Sequence, residues 1–139
     1  SERDDAIVEA LTSHDVSLVV LGGYMKKLGP RTLSQFTGRI VNVHPSLLPR
    51  HGGHGMYGIR VHEAVLATGD ARSGASIHVV DGDYDTGPVI AQMSCEVLID
   101  DTPQSLAARV LRLEHQLFWQ TLESICAGEM RLPGLSGEG

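Results

Sequence analysis

The sequence predicts an α/β domain, with a mainly parallel sheet flanked by helices. One short and nearly continuous apolar run, Val16 to Gly22, reads as a strand covered on both faces, and Arg39 to His44 reads as a second strand. Stretches with apolar residues at helical spacing alternate with the strand-like runs, which is the pattern of strands connected through helices. The 139 residues suffice for one sizeable core, and no repeat, low-complexity tract or linker divides them. Residues 1–139 therefore read as a single domain.

The elements follow in order. Asp4 to His14 is an amphipathic helix, with Ile7, Val8 and Leu11 on one side. Gly22-Gly23 ends the first strand, and Pro30 sits near the start of a short helix reaching Phe36. After the second strand, Pro45 through Met56 is a long loop containing Gly52, Gly53 and Gly55. Ile59 to Thr68 forms a helix that Gly69 stops. Ala75 to Val80 and Val89 to Leu98 are two more strands, joined through Asp81 to Pro88. Thr102 and Pro103 then open the longest helix, as N-cap and first-turn residue. Leu106, Val110, Leu113 and Leu117 give that helix an apolar stripe, widened by Phe118, Leu122 and Ile125.

Composition narrows the function classes. Formal net charge is -6, and no run of Lys or Arg exceeds Lys26-Lys27. Nucleic acid is an unsuitable partner, because neutralising phosphates needs a basic patch. No apolar stretch approaches the ~20 residues of a membrane span, and nothing resembles a signal peptide. Cys95 and Cys126 fall on a strand and a helix, and read as reduced structural thiols in a cytoplasmic protein. His51, His54, His62 and the other histidines match no zinc spacing, so no metal is expected, and they read as loop and helix-surface residues.

The chemistry gathers where the second strand ends. Asn42 and His44 are two residues apart in a strand, so they point the same way. An amide and an imidazole side by side at a strand's carboxyl end can polarise a carbonyl, and open α/β sheets bind ligands there. The loop from Asp81 to Pro88 leaves another strand end and carries Asp85, whose charge beside His44 would raise the imidazole pKa and orient the ring. Each group alone has a plain reading: Asn42 and His44 as loop-satisfied strand-end residues, Asp85 as a turn former before Gly87-Pro88. Together they suit acyl transfer. Gly-x-Ser-x-Gly is absent and neither Ser46 nor Ser76 has a nucleophile-elbow context, so direct attack by a substrate amine fits better than a hydrolase triad. Glu114 lies on the apolar side of the long helix, where a carboxylate either reaches solvent at the stripe's edge or needs a partner or ligand. His78, between Ile77 and Val79, can face the catalytic side and support the site from behind.

The segment Asn42-Val43-His44-Pro45-Ser46-Leu47-Leu48-Pro49, followed by Asp85-Thr86-Gly87-Pro88-Val89-Ile90, resembles the glycinamide ribonucleotide formyltransferase family. Gly55-Met56-Tyr57-Gly58 and Val61-His62-Glu63-Ala64-Val65 are similar to one branch of it. The resemblance runs from the opening helix to Glu114-His115, and implies a Rossmann-like formyltransferase fold. It implies transfer of a formyl group from 10-formyltetrahydrofolate to the amine of glycinamide ribonucleotide in purine synthesis, with Asn42, His44 and Asp85 as the catalytic trio. His44 and Asn42 would stabilise the oxyanion, and Asp85 would help move the amine's proton to the departing folate nitrogen. Folate contacts carry over to Met25, Lys26, Leu28, Ile40, Val80, Asp81, Gly82, Asp83 and Tyr84; nucleotide contacts carry over to Gly23, Val43 and Glu114. By spacing alone, Met25 and Leu28 are core residues and Lys26 is a solvated surface residue. A cis peptide before Pro49 is a further implication of the resemblance; the sequence leaves the oligomeric state open, a homodimer among the options.

Three rivals stand beside this reading. Formyltetrahydrofolate hydrolase uses a similar trio, but the Pro45 to Pro49 and Tyr84 to Pro88 segments look more like the transferase. Methionyl-tRNA formyltransferase shares the fold but carries a basic extension not seen here. A non-catalytic folate-binding fragment is the third. It arises because the chain opens inside a helix, without the Gly-rich phosphate turn the family places after its first strand. About two βα units, on the order of 60 residues, are expected to be missing.

Overall fold

The computed structural model describes residues 5–6, 19–22, 40–53, 55–80 and 87–127. Residues 5 and 6 are helical. The rest of the helix expected from Asp4 to His14 lies outside the described residues, as does the one from Pro30 to Phe36. The described strands form one sheet in the order β1 (Val19–Gly22), β2 (Ile40–His44), β3 (Arg72–Val79) and β4 (Val89–Glu96). Two helices accompany them, α1 (Ile59–Thr68) and α2 (Pro103–Cys126).

The α/β fold expected from the sequence is present, but the mainly parallel sheet is corrected to a mixed one across the described strands. β1 and β2 are parallel, whereas β2–β3 and β3–β4 are antiparallel. The connections explain the change. The chain leaving β2 returns to the same end of the sheet, since Arg50 and His51 of the loop both meet Asp70, just past α1. β3 therefore starts beside the point where β2 stopped and runs back along it. Between Val79 and Val89 the chain is too short for the roughly dozen residues of a parallel crossover.

β2 and β3 are buried almost throughout, while β4 shows the alternating exposure of a half-covered strand. The registers Val41↔Val79 and Val43↔Ile77 put Val41, Val43, Ala75, Ile77 and Val79 on one face. Leu106, Val110 and Leu117 of α2 join them in the core, with Val65 of α1. The registers Asn42↔His78 and His44↔Ser76 place those four polar residues on the opposite face. Strand periodicity thus assigns the apolar core to one side of the sheet and these polar residues to the other.

Helix boundaries follow local chemistry. Gly69 caps α1 in the left-handed conformation, and its N–H donates to the Leu66 carbonyl. Thr102 caps α2: its hydroxyl accepts from the Ser105 N–H, and the Ser105 hydroxyl accepts from the Thr102 N–H. Arg109 reaches back to grip both oxygens of Asp101 at 2.8 and 2.9 Å, fixing the β4–α2 turn. No helix among the described residues is long and apolar enough to cross a membrane.

Candidate active site

Beyond His44 the chain folds over the polar face and is stapled there. Ser76 Oγ donates to the Ser46 carbonyl at 2.7 Å and accepts from the Leu48 N–H at 3.0 Å. Gln92 Nε2 donates to the Leu48 carbonyl and to Ser76 Oγ, both at 2.9 Å. Ser46 Oγ closes the turn by donating to the Arg50 carbonyl at 2.6 Å. The Leu48–Pro49 peptide is cis. Ser76 and Ser46 are thus occupied in holding the loop, in keeping with their lack of a nucleophile context.

Asn42 and His44 are both buried on this face. Asn42 Nδ2 lies 3.2 Å from His78 Nε2, and His78 Nδ1 lies 3.3 Å from the Val79 carbonyl oxygen. An amide NH2 only donates and a carbonyl only accepts. The His78 tautomer with its hydrogen on Nδ1 satisfies both contacts, so His78 fixes which way the Asn42 amide is turned. His44 is oriented in the same manner: Nε2 donates to the His51 carbonyl oxygen at 2.8 Å. His51 holds positive φ, 54°, and its Nε2 donates to Asp70 Oδ2 at 2.7 Å. Asp70 also meets Arg50 at 3.3 Å and Thr68 Oγ1 at 3.2 Å. The bond from His51 outweighs burial and holds the Asp70 carboxyl below its usual range.

His62 corrects one expectation. It is buried on α1 beside Val61 and Val65, rather than lying on the helix surface, because it falls within the inward stripe of that helix. Its Nδ1 has no hydrogen-bond partner among the described residues. Burial first, and then the charge of His44, hold its imidazole below the ordinary value. Glu114 is half-buried between Val110 and Leu117, and burial alone pushes its carboxyl up to about 7. Cys95 is a free thiol, and burial pushes it up, away from reactivity at neutral pH.

The other expected site residues divide three ways. Ile40 is buried on the same face as Asn42, and its carbonyl accepts the Val80 N–H at 2.8 Å, which extends the β2–β3 pairing beyond Val79. The Val43 side chain points into the α2-covered core, so it does not join the site through its side chain. Gly23, Met25, Lys26, Leu28, Asp81, Gly82, Asp83, Tyr84 and Asp85 lie outside the described residues, as does His54. Sequence reading missed His51 and Asp70. Both sit beside glycines and look like turn residues, and the contact that matters at His51 comes from a backbone carbonyl. A cleft of about 240 Å³ borders them, lined by Leu47, Arg50, Val65 and Arg72 among others. Asn42, His44 and His78 do not line it.

Comparison with known proteins bears on this arrangement. The formyl transferase family matches residues 1–122. Phosphoribosylglycinamide formyltransferase of Arabidopsis thaliana, a chloroplastic protein, is 45% identical over 120 residues, covering 86% of this chain and 41% of the relative. The protein of that name from Haemophilus influenzae is 34% identical over 131 residues, covering 94% and 59%. The solved phosphoribosylglycinamide formyltransferase of Streptococcus pneumoniae superposes with a TM-score of 0.80 at 39% identity, covering 89% of this chain and 66% of that one. The chain thus spans less than two thirds of the length of the relatives it matches. With a match that takes in every described strand, both site residues of β2 and most of α2, the chain belongs to the formyl transferase family.

Proposed function

We propose that this chain carries the chemical half of an enzyme that moves a formyl group from 10-formyltetrahydrofolate to the amine of glycinamide ribonucleotide in purine synthesis. The observation that carries the reading is the pairing of Asn42 and His44 on one face at the end of β2, each turned by a dedicated partner. The substrate amine attacks the formyl carbon directly. The new C–N bond forms as the carbonyl oxygen takes negative charge, and then the bond from carbon to the folate nitrogen breaks. His44 as imidazolium and the Asn42 amide stabilise the oxyanion. Asp85 assists the proton's passage from the amine to the departing folate nitrogen. Glu114 offers a carboxylate to ribose hydroxyls, which relieves a half-buried charge that has no partner among the described residues. Ile40 and Val80 wall the folate side, and we place the enzyme in the cytoplasm.

The test uses the intact protein carrying this sequence, supplied with both substrates. Tetrahydrofolate release is expected only when the amine acceptor is present. His44→Ala should lower kcat by about 10²- to 10³-fold while folate binding survives. Formate release without the acceptor would make the protein a hydrolase. Folate binding with neither activity would reduce it to a binding module.

A further inference from the structure

We propose that His51 and Asp70 are positioning residues for His44, a latch that sets the imidazole's orientation from outside the reacting pocket. The inference rests on His44 having the role given above. Its chain of contacts starts at the end of α1, where the Asp70 N–H bonds the Val65 carbonyl at 3.3 Å and Asp70 Oδ1 lies 3.2 Å from Thr68 Oγ1, whose one hydrogen it shares with the Ala64 and Val65 carbonyls. The carboxylate is thereby anchored to a helix rather than to a loop. It holds the His51 ring at 2.7 Å, and both side chains are largely shielded from solvent. A hydrogen bond to a carboxylate so placed meets little competition from water. Arg50, whose side chain is mostly exposed, adds little by comparison.

What the pair stabilises is the backbone at residue 51. Positive φ at a residue other than glycine is sterically unfavourable and persists only where surrounding contacts impose it. Here that conformation turns the His51 carbonyl onto His44 Nε2 at 2.8 Å. The carbonyl accepts only, so it keeps a hydrogen on Nε2 and fixes the ring plane. Releasing the His51 ring lets residue 51 relax to negative φ, and the carbonyl swings away. Nothing in the latch needs to touch a substrate.

Four variants of the intact protein test this: Asp70→Ala, Asp70→Asn, His51→Gly and the double His51→Gly/Asp70→Ala. Asp70→Ala should lower kcat about 10- to 100-fold, the cost of a small misplacement of a catalytic group, with KM for either substrate nearly unchanged. Asp70→Asn, which can still accept from His51 Nε2, should recover most of that loss. Glycine takes positive φ freely, so adding Asp70→Ala to His51→Gly should do no further harm. Independently of turnover, ¹⁵N-histidine NMR should show His44 protected at Nε2–H in the parent and exchanging faster in Asp70→Ala. An unchanged His44 signal in a folded Asp70→Ala protein overturns the latch. So does equal damage from Asp70→Asn and Asp70→Ala together with an equal drop in melting temperature, because that is a structural role only. If the parent protein transfers no formyl group, the function proposed above fails while the NMR comparison still decides the latch.

Discussion

A carbonyl beside an imidazole can only accept, and that asymmetry orients both histidines of the site. His78 is turned by the Val79 carbonyl and then aligns Asn42, and His44 is turned by the carbonyl of His51. The side chains involved were legible in the sequence, because residues two apart in a strand share a face. The His51 carbonyl was not, since every residue type offers the same backbone acceptor and only the fold chooses which one arrives. Glu114 was legible as a carboxylate on an apolar stripe, and its environment gives a testable sign. Its folded-state pKa, about 7, stands above the ordinary 4.5, so the folded protein holds this proton more tightly than the unfolded chain. The associated stability is fully present below the ordinary value and is lost as pH rises through about 7. Glu114→Gln should remove that loss, worth roughly 1 kcal/mol once solvent screening of a half-buried group is counted. Urea midpoints at about pH 5 and about pH 8.5 check it. A wild-type protein that gains stability across that window, relative to Glu114→Gln, contradicts the sign.

Among the elements, helix ends were the most legible feature and strand directions the least. Gly69 and the Thr102-Pro103 pair stop and start their helices through contacts within a few residues, so local sequence suffices. Strand direction depends on where a connection delivers the chain, and the loop after β2 reveals that only through its meeting with Asp70. Close approach of β4, with Leu47 of that loop beside it, explains Gly74. A Cβ there would overlap the Met93 carbonyl and the Ser94 backbone, and would sit 2.8 Å from Leu47 Cδ2. Two of those three neighbours are backbone of the paired strand and cannot turn aside. Gly74→Ala should therefore cost about 1–3 kcal/mol, the range for overpacking, and should loosen the Leu47 loop along with β4. Denaturant midpoints give the first part, and hydrogen exchange at the Leu48 N–H gives the second. A stable variant with Leu48 still protected would show that the strands can spread to admit a methyl group.

For the molecule as a whole, α2 is the lid of the core. Leu106, Val110 and Leu117 cover the face made by Val41, Val43, Ala75, Ile77 and Val79. Leu106→Ala empties a fully buried position and should cost about 2–5 kcal/mol, against the ~5–15 kcal/mol by which domains are usually stable. The urea midpoint should fall with little change in its slope; a shallow transition instead would mean that α2 detaches separately. The apolar half of this arrangement was readable as stripes and runs, whereas the polar half needed the strand register. That register ties the two halves together more tightly than either needs alone. Val41 and Val43 alternate with Asn42 and His44 along five residues of β2. Deleting or inserting one residue there would invert the strand, sending the imidazole beneath α2 and turning valine onto the polar face. Point substitutions can tune this site one side chain at a time, but changes of length in β2 cannot. Among relatives, the spacing from Ile40 to His44 should vary less than the identities of the residues that fill it.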